Sequence, residues 1–265
     1  MNRTFKRILA ITCVVVLVMS MSMSAFAAGT VTPVTGTQTV YIPSSSGGSV
    51  NIGLAYGTKS FTINRSSVKV TAGTTGAKMV GFAKRNNSYS SNYQYNYSGS
   101  EWTTESYSDA DYSYDINLQV SAKGTAKVTY KIGSTSYTTS VKVLAYTNPV
   151  KSITLNGVYS SKSFASLTKS SIDPSKDLTL STKTTGARLK VTPASGWKIA
   201  YASIHDNSSG MSKSISSWNK GLSSVSLYWG TLYASHNYSI DIEYINTSNG
   251  ATMSTYYSVF GKYAS

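Results

Sequence analysis

The chain has 265 residues, with 24 Lys and Arg against 10 Asp and Glu and a formal net charge of +14. Charged residues make up only 13%, and Ser, Thr, Tyr, Asn and Gly dominate, which excludes a coiled coil and a highly charged disordered chain. The single cysteine, Cys13, excludes an intramolecular disulfide and a multi-thiolate metal site.

The first segment reads as an export signal. Arg3, Lys6 and Arg7 form a basic n-region, and Ile8 to Val18 is an almost unbroken apolar run that softens over Met19 to Ser24. Ala25-Phe26-Ala27 then places small residues where a signal peptidase reads. This is the layout of a secretory signal peptide over residues 1–27, cleaved after Ala27. No second apolar span follows, so the mature chain is expected to have no transmembrane segment. Cys13 follows Thr12 inside the apolar run, which is not the setting of a lipoprotein cysteine. Removal of Arg3, Lys6 and Arg7 leaves 21 basic against 10 acidic residues, a charge of +11. Only Arg65, Arg85 and Arg188 remain as arginines. Readers of nucleic acid rely on arginine forks, so nucleic acid is not the expected partner. A lysine-dominated exported protein fits diffuse attraction to an anionic cell-wall polymer. In a Gram-positive envelope this means teichoic acid, acidic polysaccharide or anionic lipid. Solubility alone is the competing explanation of the charge.

Past the signal, period-two alternation is everywhere and helical periodicity is nearly absent. Strands are predicted near 37–42, 49–54, 60–63, 68–72, 78–84, 114–121, 126–132 and 136–143. In the clearest of them Ala126, Val128, Tyr130 and Ile132 face one way, and Thr125, Lys127, Thr129 and Lys131 the other. Gly133-Ser134 then turns the chain into a hairpin. A second set is predicted near 150–155, 178–182, 187–192, 197–204, 225–229, 238–244 and 253–263. Tyr146-Thr147-Asn148-Pro149 is a linker, with Pro149 holding Asn148 extended. Seven or eight short strands per half is the count of a β-sandwich. The halves echo each other where Thr74-Thr75-Gly76-Ala77-Lys78-Met79 resembles Thr184-Thr185-Gly186-Ala187-Arg188-Leu189, and where the Tyr-rich strands 114–121 and 238–245 each precede a turn.

Five groups of residues could carry chemistry. Asn86 to Asp115 is read as a Tyr-rich loop holding Tyr89, Tyr93, Tyr95, Tyr97, Tyr107, Tyr112, Tyr114 and Trp102 among Ser, Asn and Gly. That mix gives rigid contact area with polar tips and suits recognition of a glycan or a surface protein. Candidate ligand-binding residues are Tyr93, Tyr95, Tyr97, Trp102, Tyr107 and Tyr112. The alternative is a long hairpin whose tyrosines only cover their own sheet. Asp109, Asp111 and Asp115 are a weak calcium candidate, without the glycine and terminal glutamate of an EF-hand loop. Trp218 and Trp229 are candidates for stacking on sugar rings, whereas Trp197 is expected in the core. His205 and His236 lie at turns, no G-x-S-x-G elbow is present, and no cofactor or catalytic residue is expected. Asp241 and Glu243 share a strand face about 7 Å apart, but nothing in the sequence supplies a cleft for a glycosidase pair.

Lys123-Gly124-Thr125-Ala126-Lys127-Val128-Thr129 resembles the Gly-Thr-Ala turn and strand near the end of bacterial Ig-like domains. These are the modules of intimin- and invasin-type surface proteins and of many clostridial exoproteins. The resemblance runs on through Val141-Lys142-Val143, and Pro149-Val150-Lys151-Ser152-Ile153-Thr154-Leu155-Asn156-Gly157 is similar to the start of a following module. Where that family commonly has Trp-Ser-Ser, this chain has Trp102-Thr103-Thr104. The resemblance implies a structural or adhesive role and brings no catalytic residues.

The expected protein is all-β: a signal peptide at 1–27, then tandem immunoglobulin-like sandwiches at 29–147 and 148–265. The expected function is a secreted or cell-surface, non-enzymatic binding, adhesion or structural module of the envelope. Its partner would be an anionic cell-wall polymer, a glycan or a surface protein. A carbohydrate-binding protein using exposed aromatics is the alternative. Mass spectrometry of the exported protein should find an N-terminus near Ala28, and an intact Met1 would refute the leader assignment.

Overall fold

The computed structural model describes residues 30–98, 101–158, 163–174 and 176–264, and for residues 87–98 and 101–110 the backbone alone. The expected signal peptide lies outside the described residues. No helix among the described residues is long and apolar enough to cross a membrane. The described residues divide into two compact units, one formed by residues 30–38 with Ser49–Val143 and the other by Thr39–Gly48 with residues 144–264. The border expected at 147/148 thus falls at 143/144, and a short early segment groups with the second unit.

The first sandwich has β1 (Val31–Pro33), β2 (Thr37–Tyr41, running into the segment that groups with the second unit), β3 (Gly48–Gly57), β4 (Lys69–Thr71), β5 (Lys78–Ser98), β6 (Glu101–Val120), β7 (Gly124–Ile132) and β8 (Thr135–Leu144). They form two sheets, ordered β1-β3-β6-β5 and β2-β8-β7-β4. Lettered along the chain, with β2 as a split half of the first strand, these are A-B-E-D and A′-G-F-C. That is the strand order of an immunoglobulin sandwich of constant type. Alternation explains the burial. Ala126, Val128 and Tyr130 are buried, while Thr125 and Lys127 are exposed. The β7–β8 hairpin pairs Ile132 with Thr135 around Gly133, whose φ is 60°. Gly124 has φ 151°, and a Cβ there would lie 2.0 Å from Thr74 Oγ1, so the turn into β7 admits only glycine.

Residues 60–63 are not a strand. Phe61 and Ile63 are buried and Thr62 is exposed, so the alternation is present without a ladder. These side chains plug the core from an unpaired segment, and the Tyr114 hydroxyl donates to the Phe61 carbonyl at 3.1 Å.

The second unit has β9 (Val150–Leu155), β10 (Leu178–Leu180), β11 (Thr184–Pro193), β12 (Trp197–Asp206), β13 (Ser212–Ser216), β14 (Val225–Leu232), β15 (Tyr238–Asn246) and β16 (Thr252–Gly261). Its sheets are ordered β14-β11-β9 and β10-β16-β15-β12-β13, with β10 parallel to β16. In the same lettering they are E-B-A and A′-G-F-C-C′. The strand that would complete the first sheet as D is replaced by β13, on the edge of the other sheet. Ile153, Leu189, Ile199, Ile204, Ile240, Ile242 and Tyr257 from both sheets form one core. β1 and β13 escaped prediction because one contains Pro33 and the other, an almost wholly exposed edge, is the polar run Ser-Lys-Ser-Ile-Ser.

The echo between the halves is not a topological repeat. Gly76 precedes β5 in the D position, whereas Gly186 lies within β11 in the B position. Both have positive φ, 63° and 65°, ahead of a buried alanine, so the shared motif is a local way of starting an inward-facing strand. The Tyr-rich strands differ likewise, β6 standing in the E position and β15 in the F position.

Tyr130 is fully buried on β7, and its hydroxyl donates to the backbone carbonyls of Val34, at 2.9 Å, and Leu54. This joins the sheet of β7 to β3 and to the chain leaving β1. Tyr130→Phe keeps the ring but strips those carbonyls of a donor. It should lower stability by about 1–3 kcal/mol in a urea melt with an unchanged m-value.

Candidate functional site

The segment read as a loop is strand. β5 and β6 pair antiparallel along almost their whole length, from Lys78 opposite Gln119 to Ser98 opposite Glu101. The reason is local. Tyrosines at 93, 95 and 97 alternate with polar residues, and Thr103, Thr104 and Tyr107 add strand propensity on the return. The register sets Tyr97 opposite Trp102, Tyr95 opposite Thr104, Ser91 opposite Tyr107 and Asn86 opposite Tyr112, with a shift between Ser91 and Gln94. Tyr112 is half-buried. The side chains of Tyr93, Tyr95, Tyr97, Trp102 and Tyr107 lie outside the described residues.

β3 flanks only the base of this ribbon. Asn51 donates to Asn117 Oδ1 at 3.1 Å, and a Cβ at Gly53 would lie 3.8 Å from Asp115 Oδ1. With 51 beside 117 and 53 beside 115, β3 ends at Gly57 opposite Asp111. Among the described residues, β6 from Glu101 to about Asp111 is therefore paired with β5 alone.

This geometry removes the calcium candidate. On an extended strand Asp109 and Asp115 are about 20 Å apart, too far to share one ion. Asp115 is buried and paired with the Arg85 guanidinium at 3.0 Å. Burial pushes its carboxyl above the ordinary range, and Arg85 pulls it back in part.

In the second unit Trp229 is not an exposed stacking residue. It is 7% exposed, packs edge-on to Tyr238, and its indole N–H donates to the Thr231 carbonyl at 3.1 Å. Alternation along β14 turns it inward with Val225 and Leu227. Trp218 is half-buried, and Trp197 is in the core. The exposed aromatics here are instead Tyr228, Tyr233, Tyr256, Phe260 and Tyr263.

The outer face of the five-stranded sheet carries the carboxylates. Tyr201, Glu243 and Ser254 form one cross-strand row, and Ser203, Asp241 and Tyr256 the next. Glu243 is pushed up to about 8, first by burial and then by the neighbouring Asp241, against a hydrogen bond from Thr252. Sequence parity placed the two acids together. The tyrosines came from neighbouring strands, and only register shows them.

Asp206 ends β12, and His236 precedes β15. His236 Nδ1 donates to Asp206 Oδ2 at 2.7 Å. Ser209 Oγ donates to the same oxygen at 2.8 Å, and the Ser208 and Ser209 amides to Oδ1 at 2.9 and 3.2 Å. Burial alone would raise the Asp206 carboxyl, but the donors from His236, Ser209 and Ser208 outweigh it and hold it low. Ser209 bonds the aspartate rather than the histidine, so no nucleophile–base contact is formed. The cluster fixes the turn after β12.

No family model matches the chain, and no curated protein matches it. Among solved structures it is similar to a chimeric titin Z1Z2 carrying a KLER exogenous peptide from decorin, at 12% identity over 89% of this chain and 98% of that one, with a TM-score of 0.21. It is similar to domains 5–6 of the S-layer protein SbsC, at 14% identity over 89% and 98%, with a TM-score of 0.21. A third is SGBP-B of a Bacteroides ovatus mixed-linkage glucan utilization locus, in complex with a heptasaccharide, at 13% identity over 84% and 42%, with a TM-score of 0.20. Superposition this loose adds nothing to the strand order, which by itself defines an all-β protein built from immunoglobulin-like sandwiches.

The Glu243 environment sets a pH dependence. The folded chain keeps a proton that the unfolded chain releases above the ordinary 4.5, up to about 8. Between those values the folded state binds more protons, so stability falls as pH rises through the window. Glu243→Gln should unfold at the parent's urea midpoint near pH 4. At pH 9 it should exceed the parent by on the order of 1–2 kcal/mol, discounted for the half-exposed side chain.

Proposed function

We propose that this chain is an exported, non-enzymatic binding module of the cell envelope, and that the β5–β6 ribbon is its contact element. The observation that carries this reading is the register of the ribbon. Tyr95, Tyr97, Trp102 and Tyr107 stand on paired backbone that outruns β3, with Tyr93 at the register shift between Ser91 and Gln94, among Ser, Asn and Gly. Tyrosine gives contact area with few rotatable bonds and a polar tip, while small polar neighbours adapt their hydrogen bonds. Backbone already paired as a ladder loses less entropy on binding than a loop does. The lysine excess supplies long-range attraction to an anionic envelope, and the ribbon supplies specificity for a glycan or a surface protein. A second reading, carbohydrate binding on the five-stranded sheet, is favoured by Tyr201 beside Glu243 and Tyr256 beside Asp241 on its outer face.

Salt separates attraction from recognition. Screening shortens from about 8 Å at physiological salt to about 3 Å at 1 M, while aromatic contacts and neutral hydrogen bonds persist. In a sedimentation assay on isolated walls, the mature protein should bind more weakly at 1 M salt yet measurably. Tyr93→Ser/Tyr95→Ser/Tyr97→Ser, at unchanged charge, should abolish the salt-resistant part. Complete release of the parent by salt would leave charge as the sole force, and intact binding by the triple variant would refute the ribbon.

A further inference from the structure

The second unit carries an unneutralised pair of cations built around one exposed ring. β14 alternates, so Trp229 is buried and its neighbour Tyr228 is 52% exposed. Arg188 on β11 stands directly opposite Tyr228, with Cζ 5.3 Å from the ring centroid and Nη1 donating to Ser226 Oγ at 3.2 Å. Lys213 arrives from β13, on the edge of the other sheet. Its Nζ donates to the carbonyls of Tyr228 at 3.2 Å and Trp229 at 2.9 Å, and lies 5.6 Å from the Tyr228 centroid. The two charges therefore share one aromatic ring, where like charges repel.

Among the described residues, neither cation is in a salt bridge. Strands β9, β11, β13 and β14 contain no acidic residue. The ion pairs found among the described residues, Arg85–Asp115 and His236–Asp206, do not involve them. Lys190, two positions along β11, adds a third positive charge about 7 Å from Arg188. Both head groups are held by hydrogen bonds to the fold, and further N–H donors remain on each. Cations ordered this way lose little side-chain entropy on meeting an anion.

We propose that Arg188, Lys213 and Tyr228 form an anion site, and that its occupant is the phosphodiester group of a polyol-phosphate polymer. The arginine fork matches phosphate oxygens, the ammonium supplies a second point charge, and Lys190 meets a further charge along the polymer. Two cations already lie over the ring, so the site can hold an anion by charge and hydrogen bonds without a planar ring on the occupant. The site rests on the envelope-binding reading only for where the polymer is met, and it is separate from the ribbon.

The test is fluorescence anisotropy of the mature chain with labelled poly(glycerol phosphate) at 0.15 M salt, with oligo-dT and polygalacturonate of equal charge as competitors. Arg188→Gln/Lys213→Gln should weaken poly(glycerol phosphate) binding tenfold or more. Lys127→Gln/Lys142→Gln, which removes the same charge from exposed positions of the first unit, should weaken it less than threefold. Arg188→Lys keeps charge and fold but loses the fork, and should also weaken it. Tyr228→Leu should weaken it at unchanged charge, and Tyr228→Phe should not. Equal losses in the two double variants would reduce the site to diffuse charge and overturn it. So would an undiminished Arg188→Lys variant, or no binding by the parent. Tighter binding of oligo-dT or polygalacturonate would overturn the occupant. The probe offers the ribbon neither a sugar ring nor a protein, so failure here leaves the ribbon reading standing.

Discussion

A sandwich with no disulfide must join its sheets by packing and by polar groups that reach across the core. Cys13 is the only cysteine in the chain, so the covalent pin between sheets is not available to this protein. Tyr130 takes that place, while Tyr114 and the half-buried Tyr146 tie in segments outside the sheets. Tyr130 reaches carbonyls of Val34 and Leu54, Tyr114 reaches Phe61, and Tyr146 reaches Thr168. The hydroxyls of Tyr130, Tyr114 and Tyr146 satisfy the carbonyls of Val34, Phe61 and Thr168, which lie outside the strands. This favours segments such as 60–63, which contribute core side chains without being strands.

The same residue type serves outside the core, and strand alternation decides which role it takes. Along β14, Trp229 goes in and Tyr228 goes out; along β16, Tyr257 is buried and Tyr256 is exposed. Charge follows the same rule. The five-stranded sheet of the second unit shows Asp241 and Glu243, while the strands of the three-stranded sheet hold Lys151, Arg188 and Lys190 and no acid. Within the second unit the acids of the strands thus stand on one sheet only.

Period two was legible wherever one face meets a core, which is why β7, β8, β12, β15 and β16 could be located from the residues alone. It failed in both directions at the margins. Phe61-Thr62-Ile63 alternates without pairing, and Ser212 to Ser216 pairs with almost no apolar signal. The ribbon was misread because Ser, Asn and Gly suggest turns, whereas its tyrosines and threonines keep the strand period. At the candidate sites, parity within one strand could place Asp241 beside Glu243. It could not place Tyr201 or Tyr256 beside them, nor bring Lys213 to Arg188, because those contacts depend on register and on β13 changing sheets.

The ribbon follows from the same limits. Two strands without a third are marginal in water, and β3 ends near Asp111. Beyond that point cross-strand pairs must hold the ladder, and aromatic pairs are among the strongest available. The register sets Tyr97 opposite Trp102 at the far end of the ribbon. On the reading proposed above, aromatic positions that favour pairing are the same positions that would offer contact area to a partner. A ligand laid along them would cover apolar surface and also add the missing support of a third strand. Part of its binding energy would be spent on holding the ladder, so affinity and ribbon order would rise together.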